Sequence, residues 1–305
     1  KEVVFQTGKH SLPENPWLVQ AYVRAAVHPF ASVVGQEVFQ SGVISSDTDF
    51  RIYRDFGKIP GIDLAFIENG FIYHTNTTLR NCVSDVCPSA GDNILSVLKH
   101  LVMSDELADS SAYRHGNMVF FDLLGVTVVA YPARVGTIIN YLAAVATVIY
   151  LGRKCRLSSS AGKCGRYTRD LACAACVAVL SWFVALLTVQ IVALLVTLAG
   201  RSMFWYTHFY AAVCLYGSVA VGKILLIHTL AKNLYYGGVS SVDLSERFFD
   251  VSLLLWCCAL LFLTQRGLCS AYVPMMMVVF PLASKLLLTK HFRARAHDPS
   301  ASSSR

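Results

Sequence analysis

Charge is what this sequence has least of. Only 15% of its 305 residues are Asp, Glu, Lys or Arg, against about 25% in an ordinary soluble protein. Acidic residues are the scarcer sign, 19 against 26 Lys and Arg, which leaves a formal net charge of +7. A basic balance invites a nucleic-acid surface. Yet the basic residues of the second half fall between long apolar runs, where membrane topology accounts for them better than phosphate does. Nucleic acid is therefore not an expected partner. The motifs of a self-contained metal centre are missing too: there is no His-Glu-x-x-His and no His-x-Asp, and no spacing suited to four zinc ligands. The chain opens without a methionine or a signal peptide, on Lys1-Glu2 and the alternating run Val3 to Thr7. It reads as beginning inside a domain.

What is abundant is apolar residue, 55% of the chain, and it is unevenly spread. Residues 1–116 have the pattern of a soluble domain. Five apolar runs near membrane length follow, roughly Val135–Leu151, Leu171–Gly200, Thr207–Leu230, Phe248–Thr264 and Leu268–Leu288. Met118–Tyr131 is apolar but shorter and contains Asp122, so residues 118–134 are expected to be interfacial or to start the first span. Arg153, Lys154, Arg156, Lys163, Arg166 and Arg169 crowd the first loop, which the positive-inside rule makes cytosolic. Alternation then puts Lys232, Arg247 and the tail with Lys290, Arg293 and Arg295 on the same side. Residues 1–116 face the lumen or the exterior.

Within that soluble part the elements interleave. Val3–Thr7 reads as a strand. Asn15-Pro16 opens a helix that His28-Pro29 ends, with Leu18, Val19, Tyr22, Val23 and Ala26 on one face. Ala31–Gln40 is a second short helix. Ser46 and Asp49 form a capping box for a third, with Asp47 in its first turn. Ile59–Ile67 reads as a strand buried on both faces, Phe71–Tyr73 as a short one, and Ser89–Met103 as a helix carrying Ile94, Leu95, Leu98 and Val102. Helices interleaved with strands argue for an α/β layer architecture. Residues 105–117 are polar and read as a linker.

The only clustered chemistry of the soluble part lies between Ser46 and Thr75, and His74 is the one histidine of that stretch. Asn76-Thr77-Thr78 is a glycosylation sequon. Cys82 and Cys87 are expected either to pair in an oxidising lumen or to stay as thiols. Cys155, Cys164, Cys173 and Cys176 read as packing residues or acylation sites rather than zinc ligands. In the apolar half Lys223 and Asp250 are ionisable groups within spans; snorkelling to the cytosolic edge is the plain reading of Lys223, and a Lys223–Asp250 pair is the sharper one. With Gln190 they are all that suggests transport.

The stretches VVFQTG, NPWLVQAYV, HPFASVVGQEVFQSG, SDTDFRIYRDFGKIPGIDLAFIENG and FIYHT resemble the zinc exopeptidase family that includes aminopeptidase Y and glutaminyl cyclases. Through YRHGNMVFFD, AYPARVGTIINY, WYTHFYAAVCLYG, KILLIHTLAKNLYY and GLCSA the likeness extends into the apolar half, toward a membrane-bound member resident in the endoplasmic reticulum. The resemblance implies an α/β sandwich of zinc exopeptidase type, of which residues 1–104 supply the C-terminal part. An all-α membrane domain of about five helices (135–290) and a polar tail (291–305) would follow. It also implies two zinc ions sharing a water, a glutamate general base, and a peptide or protein substrate.

By that resemblance His74 is the family's last metal ligand. Ser46, Asp47, Asp49 and Phe50 line the substrate pocket, and Tyr73 flanks it. The remaining ligands and the catalytic glutamate match nothing in these 305 residues and are expected upstream of Lys1, so the chain by itself is expected to be inactive. After His74-Thr75 it reads NTTLRN, where the family usually continues Asp-Thr. A non-catalytic membrane scaffold with a vestigial peptidase fold is the competing expectation.

Overall fold

The computed structural model describes residues 15–43, 48–64, 86–107, 116–160, 164–202, 204, 208–236, 238 and 240–296, without the side chains of 86–89, 106, 159, 160, 164, 209, 241, 242 and 290–296. It divides into two compact units. The first holds residues up to 143 together with 259–276, and the second holds 144–258 and 277 onward.

The first unit is built on helix α1 (Pro16–Ala25). Pro16 starts it, where a missing N–H costs nothing. Trp17, Leu18, Val19, Ala21 and Tyr22 are its buried side chains. The Tyr22 hydroxyl then closes the exit of α1, donating to Phe30 O at 3.1 Å and accepting from Phe30 N at 3.2 Å. Helix α2 (Val33–Gln40) is capped by Ser32, whose Oγ accepts from Gly35 N. Helix α3 (Phe50–Asp55) follows, then α4 (Val86–Val102). The side chain of Asn93 on α4 pairs with the backbone of His28, accepting from its N and donating to its O, each at 2.7 Å. This pairing satisfies a polar group that is only 3% exposed. It also sets the rotation of α4. Asn93 and Val97 face inward, while Ile94, Leu95, Leu98 and Val102 are all exposed.

Residues 118–132 are not the helical start of a span. They are an antiparallel hairpin, β1 (Met118–Leu123) paired with β2 (Thr127–Pro132) in a register of Met118 with Pro132 and Leu123 with Thr127. The turn explains the difference. Leu124 and Gly125 both have positive φ, the signature of a turn whose twist suits a hairpin. Gly125 N donates to Asp122 Oδ2 at 3.2 Å, and a Cβ on Gly125 would collide with the Phe30 ring. Asp122 is thus a turn residue, and its backbone N donates to Ala31 O at 2.9 Å. Val19, Tyr22, Val33, Val97, Met118 to Phe121, Val128 and Cys269 make the core of this unit.

Of the other expected strands, Val3–Thr7 and Phe71–Tyr73 lie outside the described residues. Ile59 to Leu64, the described part of the expected buried strand, is irregular, and Ile59 is exposed. Pro60 and Gly61 interrupt it, and the chain passes over α3 instead of pairing. The described head is therefore helical with one two-stranded sheet.

Among the described residues five helices are long and apolar enough to cross a membrane: Ala133–Ser158, Gly165–Leu198, Tyr210–Leu234, Asp243–Gln265 and Cys269–Thr289. They lie in α5 (Ala133–Ser160), α6 (Cys164–Leu198), α7 (Phe209–Leu234), α8 (Ser241–Gln265) and, with the turn before it, α9 (Tyr272–Ala296). Each outlasts the apolar run that announced it, because a helix keeps its backbone bonds internal beyond the hydrocarbon edge.

Candidate functional site

Of the residues expected at a peptidase site, Ser46, Asp47, Tyr73, His74, Asn76 and Cys82 lie outside the described residues. Cys87 falls in the first turn of α4, where the side chain is not described. Asp49 and Phe50 are described, and the structure shows what holds them. Asp49 occupies the N-cap position of α3 without a side-chain cap bond, so it does not serve the capping role assigned to its segment. Thr48 Oγ1 donates instead to Asp63 Oδ2 at 2.5 Å. The Phe50 ring lies directly on Gly61, where any Cβ would clash with it. These two contacts tie the start of α3 to the returning chain. Ile62 and Leu64 then pack against the core of the head. The short loop carrying Asp49 is thereby closed at its base and anchored from below.

Arg54, on the same helix, is 6% exposed. Its Nε and Nη2 donate to the two carboxylate oxygens of Asp55 at 2.7 and 3.2 Å, and its guanidinium stands 6.0 Å from the Phe50 ring centre. The Arg54 hydrogen bond holds the Asp55 carboxyl below its usual range. The stabilisation this gives is present above the ordinary carboxylate pKa and fades as pH falls through the depressed one.

Among the described residues no three His, Cys, Asp or Glu side chains converge as a metal site would require. His74, the ligand that the resemblance implies, lies outside the described residues.

A second cluster of charge lies inside the second unit, and sequence reasoning missed its composition. Asp250, 1% exposed, is held by Lys154 Nζ at 2.7 and 2.9 Å and by the Tyr167 hydroxyl at 3.1 Å. The expected partner was Lys223; the structure assigns the carboxylate to Lys154 instead. Lys154 also reaches Glu246 at 2.8 Å, Glu246 pairs with Lys285, and Arg247 meets Asp170 at 3.2 Å. Three cations and three anions cancel within the cluster. Such a set fastens α5, α6, α8 and α9 together and leaves no net charge to carry an ion. Lys154 had been counted as a loop charge because it belongs to the basic run Arg153–Arg156. Its signal was the extra helical turn beyond Leu151, which brings it to the level of Asp250.

The likeness of the chain to known proteins covers both halves. The family model described as "Peptidase family M28" matches residues 1–98, and the one described as "Endoplasmic reticulum metallopeptidase 1, TM domain" matches residues 167–300. The chain is 58% identical over 294 residues to endoplasmic reticulum metallopeptidase 1 of Homo sapiens, which is 96% of this chain and 32% of that protein. It is 45% identical over 152 residues to the putative endoplasmic reticulum metallopeptidase 1-B of Caenorhabditis elegans, 50% of this chain and 16% of that one. It is 31% identical over 134 residues to a vacuolar membrane protease of Yarrowia lipolytica, 44% of this chain and 13% of that one. The chain thus spans about a third of the length of the first of these relatives. No solved structure matches it.

Proposed function

Proceeding from this likeness to the M28 peptidases and to a metallopeptidase membrane domain, we propose that the protein is a zinc-dependent exopeptidase of aminopeptidase type in the endoplasmic reticulum membrane. One observation carries the reading. A peptidase-family segment and a membrane domain of the same named relative stand in one chain, in the order they have in that relative. Residues 1–104 belong to an α/β peptidase domain that faces the lumen, and 105–117 lead from it into the hairpin β1–β2, which packs in the same core.

In this reading two zinc ions supply the activated water when bound, and His74 is the ligand that residues 1–305 contribute. Ser46, Asp47, Asp49, Phe50 and Tyr73 border the pocket that receives a peptide N-terminus. The Thr48–Asp63 and Phe50–Gly61 contacts hold that border in place. A lone imidazole does not retain zinc, so residues 1–305 expressed by themselves are expected to show no peptidase activity.

The test is zinc content together with aminopeptidase turnover, measured on the natural full-length polypeptide and its His74→Ala variant. Loss of both metal and turnover in the variant supports the assignment. Equal metal and turnover remove His74 from the site, and a wild type that binds no zinc leaves the scaffold reading in its place. Glycosidase-sensitive mass at Asn76 tests the lumenal orientation separately.

A further inference from the structure

In the second unit α7 packs along α6 and makes no comparable contact with α8. Between α7 and α8 the structure leaves an open groove of about 640 Å³, whose walls include Trp182, Ile224, His228, Lys232, Phe248 and Ser252. That volume is in the range of sites that hold small amphiphiles.

The groove is graded along its length. Lys232 lies in the last turn of α7, His228 one turn further in, and Ile224 another turn beyond, so the cationic end is at the side of the basic loops and the apolar walls run toward the middle of the span. His228 Nδ1 donates to Ile224 O at 2.9 Å, and its ring lies 5.0 Å from that of Phe248. Among the described residues no acidic side chain lines the groove. Of the carboxylates of α8 adjacent in sequence to these walls, Glu246 and Asp250 are taken by lysines, and Asp243 accepts the hydroxyl of Ser240.

The groove opens toward the bilayer: Leu225 on its rim is 61% exposed and Trp182 47%. A protein helix seated there would need small residues for close backbone approach, whereas most of these walls are large side chains. An acyl chain fits against large apolar walls, and a basic end between membrane helices suits a phosphate headgroup.

We propose that this groove is a lipid site that binds one anionic glycerophospholipid, its acyl chain along Ile224 and Phe248 and its phosphate at Lys232 and His228. The site is independent of the peptidase reading, since no residue of the head takes part in it.

The experiment is lipid mass spectrometry on the full-length protein purified from membranes in mild non-ionic detergent. Three variants accompany it: Lys232→Ala, Lys232→Arg and Ser252→Trp. The wild type should retain about one anionic glycerophospholipid per chain after washing that removes zwitterionic lipid. Lys232→Ala should lower retention about five-fold, the worth of one basic residue at a phosphate, and Lys232→Arg should restore it. Ser252→Trp should block the groove and remove the lipid whatever its headgroup. Lys232 is exposed, so its variants fold even if the tryptophan variant does not. Retained lipid of the same composition as the bulk membrane would overturn the proposal. So would retention indifferent to Lys232, or a photocrosslinker at Leu225 that captures protein instead of lipid.

Discussion

The carboxylate of Glu37, on α2, accepts the backbone N–H of Cys269 at 2.5 Å and that of Ser270 at 3.3 Å. Cys269 and Ser270 lie in the turn that precedes α9, so a residue of the peptidase-like head caps the start of a membrane-length helix. Phe121 of β1 stacks on Tyr272 beside it, with ring centres 4.3 Å apart and planes 6° from parallel. The connection between α8 and α9 is therefore part of the head's own compact unit. A carboxylate there satisfies two orphan N–H groups and complements the helix dipole.

Glu37→Ala should therefore loosen that turn. Hydrogen bonds to a charged group contribute about 1.5–3 kcal/mol, so amide exchange at 269–271 should accelerate by roughly ten-fold or more. Exchange in α1 should change little. Glu37→Gln, which keeps one acceptor, should fall between. Unchanged protection in the alanine variant would show that the turn is held by packing alone.

Asp250→Asn should cost more than any exposed substitution. Removing one partner of a buried pair leaves the other uncompensated, typically at about 3–5 kcal/mol. Lys154→Met alone should be comparably harmful. The double variant should recover a large part of the loss, because no charge is then stranded. Thermal unfolding of the four proteins in detergent measures the coupling. Strict additivity would mean the pair is not formed. Lys223→Met, by contrast, should leave the Asp250 effect unaltered.

Gly61→Ala should destabilise the segment 48–64 by about 1–3 kcal/mol, the usual effect of overpacking, since its Cβ would meet the Phe50 ring. Phe50→Leu combined with it should relieve the clash. Limited proteolysis of 48–64 reads the local effect. If this loop borders the substrate pocket, KM for peptides should rise in step with protease sensitivity.

Tyr22→Phe should cost about 1–2 kcal/mol, because Phe30 N and O lose their shared partner in a buried place. Burial raises the ionisation of Tyr22 above the ordinary tyrosine value, against the opposing Phe30 backbone bond. The tyrosine's contribution is thus complete below the ordinary value near 10 and is lost as pH rises through the higher folded one. Wild type should lose stability more steeply than the variant above pH 10. Parallel curves would refute the raised ionisation that burial of the hydroxyl produces.

Some of this was legible without coordinates. The start of α1 follows from Pro16, and its end at Ala25 comes shortly before His28-Pro29, the break expected to stop it. The five membrane-length helices follow from apolar length, since a chain in hydrocarbon must satisfy its backbone locally. The fixing of Thr48 by Asp63 and of Phe50 by Gly61 was not legible, because both partners come from the returning stretch of chain.

Local chemistry and composition were enough to divide the chain into a polar-patterned head and five apolar helices. Lys154 rather than Lys223 as the partner of Asp250, Glu37 as the cap of a distant turn, and a hairpin rather than the helical start of a span at 118–132 were decided only in three dimensions. Each depends on which of several eligible groups the fold brings within about 3 Å. Separation along the chain, 96 residues for Lys154 and Asp250 and 232 for Glu37 and Cys269, carries no information about that distance.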